Sequence, residues 1–161
     1  MASTRTASDV LREIEQAIAA GDLRAALRAS RKFLSRHRAH PRAMRVRERA
    51  VKICIKAGDY AEGVRIGEAA GGAADRDAGL LYAIAQAYVY DGRGSGAMRA
   101  VERVLRAEPD HAGAIARMAV LLQSERRTDD AIALLDEAGG RGVSAWDLDH
   151  AFAQLAPRVG R

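Results

Sequence analysis

Few side chains in this sequence are spaced for chemistry of their own. The four histidines, His37, His40, His111 and His150, are not joined by cysteines or carboxylates at the spacing of a metal site. His37 and His40 together would supply only two ligands. We therefore interpret all four as solvated surface histidines, and we predict no metal and no cofactor.

The single cysteine, Cys54, lies on the apolar stripe of a predicted helix. A cysteine in that position is typically a small buried hydrophobe, and it reacts poorly as a nucleophile. One cysteine cannot form an internal disulfide, which fits a reducing compartment. Residues 1–8 lack the apolar core of a signal peptide, and no apolar run approaches the roughly 18 residues of a membrane span. We expect a cytoplasmic protein that has no membrane segment and is not an enzyme.

Residues 92–97, Gly-Arg-Gly-Ser-Gly-Ala, look superficially like a loop that cradles phosphate. They follow a predicted helix instead of a strand, and they lack the lysine that would reach a phosphate. This stretch is predicted to be a turn between two helices.

The charge of the chain is distributed unevenly. Twelve Lys or Arg and one acid, Glu48, lie between Arg24 and Lys56, which gives this segment +11. Because the whole chain carries +5, the remainder carries −6. Five of the basic residues recur at steps of three and four, so they share one helix face: Arg42, Arg45, Arg49, Lys52 and Lys56. This basic stripe is either a binding surface or a merely solvated face.

The helices that position these residues are predicted from a repeat in the sequence. Gly58, Gly92 and Arg126 mark short turns spaced 34 residues apart, and a fourth turn at Gly21 lies 37 residues before Gly58. Apolar residues at three- and four-residue steps flank each turn and predict pairs of antiparallel helices. The clearest stripes are Leu81, Ile84, Ala85 and Tyr88; Ala97, Val101 and Val104; Ile115, Met118, Ala119 and Leu122; and Ala131, Leu135 and Ala138.

A unit of this length, with large and small apolar pairs, a glycine at the turn and a proline at the end, resembles the tetratricopeptide repeat. The resemblance implies an all-α fold, a right-handed α-solenoid of about four repeats plus a C-terminal helix. We predict a disordered or frayed N-terminus over 1–7 and one domain over 8–161, with repeats at about 8–40, 41–74, 75–108 and 109–143. Either Val10 or Leu11 fills the first core position. Arg47 stands where a bulky apolar residue is usual, and Gly63 where alanine is common.

A capping box at Ser144 and Asp147 predicts a last helix over 144–157, which includes Leu148, Phe152 and Leu155. This helix would be the first half of a fifth repeat, either as a natural cap or because the chain is a fragment of a longer polypeptide. Without a partner helix, Phe152 and Leu155 would form an exposed apolar patch, and a homodimer through this helix is a further expectation.

In tetratricopeptide arrays the first helix of each pair lines a concave groove, and the resemblance extends this to the present chain. The predicted groove residues are Arg45, Glu48, Arg49, Lys52, Lys56, Tyr82, Gln86, Tyr90, Gln123, His150 and Gln154. Basic side chains bind carboxylates, and tyrosines offer apolar area with a polar tip. We therefore predict a non-enzymatic scaffold for protein–protein interaction that binds an acidic peptide or protein segment.

Two alternatives stay open. Arrays of this kind also occur as accessory domains at the N-terminus of larger bacterial enzymes, sulfotransferases among them. RNA binding is the weaker alternative, because a basic stripe also neutralises phosphates and tyrosines stack on bases, but the sequence holds no nucleic-acid motif.

Overall fold

The computed structural model describes residues 6–155, with side chains described through Ala153. Within that range every regular element is a helix, and a single 3-10 helix, Gly71–Arg76, accompanies the α-helices. The α-helices are α1 Ala7–Ala19, α2 Leu23–Arg36, α3 Ala43–Ala57, α4 Tyr60–Glu68, α5 Ala78–Tyr90, α6 Gly94–Ala107, α7 Ala112–Ser124, α8 Thr128–Gly140 and α9 Ala145–Leu155.

The helices pair and stack in chain order. α1 packs on α2, α3 on α4, α5 on α6 and α7 on α8. Each second helix also packs on the first helix of the next pair, and α3 contacts α5 as α7 contacts α9. One apolar core runs along this stack from Val10 in α1 to Ala131 in α8. The predicted all-α solenoid is confirmed, and Val10, 1% exposed, fills the first core position.

A residue in the left-handed backbone region connects the two helices of each pair. The φ angles are 71° at Gly21, 77° at Gly58, 73° at Gly92 and 62° at Arg126. Glycine adopts this region freely because it has no Cβ, whereas arginine does so at a cost. The turn residues are the ones that the sequence period marks.

Glycines let α4 and α6 lie very close to their neighbours. A Cβ at Gly63 would lie 3.2 Å from the Cβ of Cys54, and one at Gly67 only 2.4 Å from Cγ1 of Ile84. This approach explains why glycine replaces the usual alanine at position 63. Cys54 is fully buried in the contact, and burial raises the pKa of its thiol to about 11.

The second pair departs from regular geometry after α4. This helix has nine residues, and the chain then turns into the 3-10 helix. Arg103 of α6 fastens the segment, since its Nε donates to Oδ1 of Asp75 at 2.8 Å and its Nη1 to Oε2 of Glu68 at 3.2 Å. The run Gly71-Gly72-Ala73-Ala74 has no helical apolar period, so sequence patterning does not predict this element.

The first and the last described helices each begin after a capping residue. Thr6 caps α1, so of the segment 1–7 predicted to be frayed, Thr6 and Ala7 belong to the start of α1, and residues 1–5 lie outside the described residues. Ser144 Oγ accepts a hydrogen bond from the Asp147 backbone N–H at 3.1 Å, which is one of the two bonds of the predicted capping box, and the Ser144 hydroxyl donates to Oδ2 of Asp147 at 2.6 Å. None of the described helices has the length and apolar character of a membrane span.

α9 differs in one respect from the expected exposed apolar patch. Phe152 is partly buried against the main core, and Leu148 and Ala151 are buried. The expectation of an exposed Phe152 is therefore wrong, because α9 packs this side chain onto the preceding helices. The Leu155 side chain and residues 156–157 lie outside the described residues.

Candidate functional site

The basic stripe of α3 lies beside α1, on the surface formed by the first helices of the pairs, which we call the first-helix face. Arg42, Arg45 and Arg49 line a cleft of about 240 Å³, opposite Leu11 and Glu15 of α1. A neighbouring cleft of about 230 Å³ lies between Arg49, Lys52 and Lys56 and the C-terminal end of α1. The helical spacing of the five basic residues thus produces one continuous basic surface.

Two acidic residues neutralise part of this surface. Glu15 accepts a hydrogen bond from Nη1 of Arg49, and this bond lowers the pKa of its carboxyl group. Glu48 forms an ion pair with Lys52 one turn away. Among residues 6–155, no ion pair is formed by Arg42, Arg45 or Lys56. The stripe therefore keeps an excess of positive charge that a partner's carboxylates could neutralise.

Tyr82 connects two repeats and is only partly accessible. Its hydroxyl donates to the Gly113 carbonyl at 3.2 Å, and its ring centroid lies 4.9 Å from that of His111. Burial raises the pKa of Tyr82, and the nearby Arg117 guanidinium offsets part of that rise. Tyr82 therefore fixes α5 against the start of α7, and less of it is free for a partner than the sequence suggests.

The other predicted groove residues belong to three other helices, α5, α7 and α9. Tyr90, 55% exposed, stacks on Tyr60 with ring centroids 5.4 Å apart, at the end of α5 next to a turn. His150 is exposed and stacks on Trp146 at 5.2 Å. Gln86 is partly buried, Gln123 is exposed, and the Gln154 side chain lies outside the described residues. The two clefts bring together the basic residues of α3, and neither Tyr90 nor His150 is among the residues that line them.

The interpretation of all four histidines as solvated is wrong for three of them. The rings of His37 and His40 pack on buried Phe33, with centroids at 5.2 and 5.3 Å. His111 caps α7, since its Nδ1 accepts the Ala114 N–H at 3.0 Å. His37 and His40 lie in the α2–α3 connection, where the chain folds back on Phe33. Within the described residues, no three His, Cys, Asp or Glu side chains are grouped as metal ligands.

Comparison with known proteins supports the tetratricopeptide repeat family. The tetratricopeptide repeat model matches residues 88–144, which run from the end of α5 past the end of α8. This part of the chain carries the tetratricopeptide repeat. A comparison with curated protein sequences gives no match.

Solved structures show the same repeat fold over nearly the whole chain. A tetratricopeptide repeat protein from Parabacteroides merdae superposes with a TM-score of 0.78 at 16% identity, over 92% of this chain. This chain spans 58% of that protein's length. MamA from Desulfovibrio magneticus RS-1 gives 0.70 at 16% identity, over 91% of this chain and 77% of MamA. A further MamA structure gives 0.71 at 16% identity, with 92% and 87% covered.

Two arginines, Arg47 and Arg117, have guanidinium groups that are partly or largely buried between helices. In the sequence, Arg47 departs from the tetratricopeptide pattern. In the structure it is half-buried between α3 and α4, where its Nη1 donates to the Ile66 carbonyl at 2.6 Å. Arg117 of α7 is 8% exposed and its Nε has no hydrogen-bond partner among the described residues. No spacing signal predicts the burial of Arg117, because it occupies an ordinary helical position.

Proposed function

We propose that this protein is a non-catalytic interaction scaffold that binds an acidic peptide or protein segment on its first-helix face. The observation that supports the proposal is the basic stripe of α3 beside the two clefts along α1. Three of its five cations have no ion pair within residues 6–155, and a peptide carboxylate would form charge-assisted hydrogen bonds with them. The apolar side chains Leu11 and Ile18 in the same clefts offer contacts to apolar residues of the peptide.

The affinity of such a complex depends on ionic strength. Arg45 and Lys52 are exposed, so their attraction for an acidic partner is screened by salt over a Debye length of about 8 Å at physiological ionic strength. The proposal therefore requires binding that weakens as salt rises and that depends on these two side chains.

The first prediction concerns the double variant Arg45→Glu with Lys52→Glu. We expect it to weaken the binding of a fluorescent peptide of alternating Glu and Leu residues by at least about tenfold at low salt, because attraction becomes repulsion. Fluorescence anisotropy over a salt series measures the effect, and circular dichroism checks that helicity is unchanged.

The matched control is Arg99→Glu with Arg106→Glu on α6. These exposed residues have the same seven-residue separation and give the same change in net charge. The control variant should bind the peptide as the wild type does. Equal affinity of the wild type and the Arg45→Glu, Lys52→Glu variant at both low and high salt would contradict the proposal.

Two other kinds of partner, RNA and a second copy of the chain, are tested by separate measurements. A labelled RNA oligonucleotide that binds at about 50 mM salt more tightly than the peptide would favour nucleic-acid binding. A homodimer through α9 would involve Trp146, which is 70% exposed, and light scattering would show a doubled mass that Trp146→Ala reduces.

A further inference from the structure

A cleft of about 530 Å³ lies between α2 and α4, more than twice the volume of either cleft on the first-helix face. It is open because α4 ends after nine residues and the 3-10 helix follows. Its wall includes Met44 and Arg47 of α3. Arg47 lies about 160° around α3 from Arg45, given about 100° per residue. The cleft is therefore on the opposite side of α3 from the basic stripe.

Four arginines line this cleft, and no acidic residue does: Arg31, Arg38, Arg47 and Arg65. Glu62, outside the lining, forms two hydrogen bonds of 2.6 Å with Arg65 and also binds Arg31. Within the described part of the chain, Arg38 and Arg47 form no ion pair. The cleft thus contains two guanidinium groups whose charge no carboxylate balances.

Arg47 is the less accessible of these two groups. Its Nε is buried and has no hydrogen-bond partner among the described residues, while Nη1 donates to the Ile66 carbonyl. Burial lowers the pKa of the guanidinium, and repulsion by Arg38 lowers it further. A buried donor without an acceptor costs free energy, and a buried charge without a counter-charge costs more. A bound anion would supply the missing counter-charge.

The remaining wall of the cleft is apolar and includes Leu34, Met44 and Ile66. Its volume falls within the roughly 300–1,000 Å³ of small-molecule sites, which combine apolar walls with a few polar groups. Arginine forks match the oxygens of a phosphoryl group in bidentate geometry, and two unbalanced cations match a dianion.

We propose that this cleft binds a small phosphomonoester, with the phosphoryl group on Arg38 and Arg47 and an apolar body against Leu34, Met44 and Ile66. The site is separate from the peptide surface of the first-helix face. Failure of either proposal would therefore not contradict the other.

Phenyl phosphate is a suitable probe because it combines a dianionic phosphoryl group with an apolar ring. In calorimetric titration of the full chain, we expect saturable binding of one molecule, at least about tenfold tighter than benzoate or inorganic phosphate. Benzoate has one negative charge, and inorganic phosphate has no apolar body.

Two variants test the residues. Arg38→Gln, at an exposed position, should weaken phenyl phosphate binding by about tenfold or more because one charge-assisted contact is lost. Arg47→Met should also abolish binding, yet it should raise the unfolding temperature without ligand, because an apolar side chain replaces a desolvated charge. A more stable protein that no longer binds excludes unfolding as the cause.

Arg45→Gln, on the opposite side of α3, is the control and should bind phenyl phosphate as the wild type does. The proposal is overturned by an absence of saturation up to about 10 mM phenyl phosphate. It is also overturned if benzoate or inorganic phosphate binds as tightly as phenyl phosphate, if Arg38→Gln leaves the affinity unchanged, or if Arg45→Gln weakens it as much as Arg38→Gln does.

Discussion

At the scale of single residues, Arg126 occupies a backbone conformation for which its side chain is poorly suited. Gly58 and Gly92 adopt the same left-handed conformation at the equivalent turns, and a Cβ at either position would meet nothing within 4 Å. The difference between glycine and arginine at these turns is therefore mainly a matter of backbone strain, not packing. The cost for a non-glycine residue is about 1 kcal/mol.

Arg126→Gly should stabilise the protein by about 0.5–1 kcal/mol, because relief of strain exceeds the added entropy of the unfolded chain. The reciprocal change, Gly92→Arg, should destabilise it by a similar amount. Urea unfolding followed by circular dichroism measures both. A loss of stability in Arg126→Gly would show that the arginine side chain makes compensating contacts.

At the scale of helices, stability depends on how closely neighbours approach and on ion pairs between them. Gly67 lets α4 approach α5 so closely that a Cβ would overlap Ile84. Ion pairs also join residues about one repeat apart, as when Arg141 at the end of α8 donates to Asp110 at 2.9 Å. Contacts of both kinds join neighbouring helices, as a repeat stack requires.

Gly67→Ala should destabilise the protein by about 1–2 kcal/mol, because overpacking outweighs the better helix propensity of alanine. Ile84→Ala should cost less in the Gly67→Ala background than in the wild type, since the clash is removed, and a double-mutant cycle measures this coupling. Gly139→Ala, at a helical position with open space around it, is the control and should leave stability equal or slightly raised. Equal losses at positions 67 and 139 would contradict the close approach.

Glu62 joins α4 to α2 through Arg31, and its hydrogen bonds to Arg65 and Arg31 lower the pKa of its carboxyl group. Since that pKa is lower in the folded state, the stabilisation is present above the ordinary glutamate pKa of about 4.3 and is lost as the pH falls through the lowered value. Glu62→Gln should therefore cost about 1 kcal/mol at neutral pH, as partly exposed pairs do, and little in strong acid.

Urea unfolding of the wild type and Glu62→Gln over a pH series measures this difference. Glu102→Gln, at an exposed position of α6, controls for the loss of one negative charge. A difference between wild type and Glu62→Gln that stays constant from neutral pH into strong acid would show that the ion pair contributes nothing.

At the scale of the whole molecule, the repeat architecture could be predicted because it follows from local patterns. Turn residues at a fixed spacing and apolar residues at helical steps determine the helix pairs, and a stack is the arrangement that buries their apolar faces. The resemblance to the tetratricopeptide repeat is confirmed by the match over residues 88–144 and by the repeat structures that superpose on the chain.

The candidate site could be predicted only where it depends on one helix. The basic stripe follows from spacing within α3, so the sequence was sufficient to define it. Tyr82 is different, because its bond to the Gly113 carbonyl depends on how α5 and α7 pack. The packing of His37 on Phe33 depends likewise on the path of a loop. Of the four arginines between α2 and α4, three lie on three different helices and Arg38 lies in the α2–α3 connection, and only the folded arrangement brings them together.

Because Cys54 is buried, the rate at which its thiol is alkylated can report local opening of the structure. Its thiol is inaccessible to solvent, and with a pKa of about 11 very little of it is thiolate at neutral pH. An alkylating reagent would therefore modify only those molecules in which α3 and α4 have separated. The rate of mass gain under native conditions would report how often the second hairpin opens, without any engineered label.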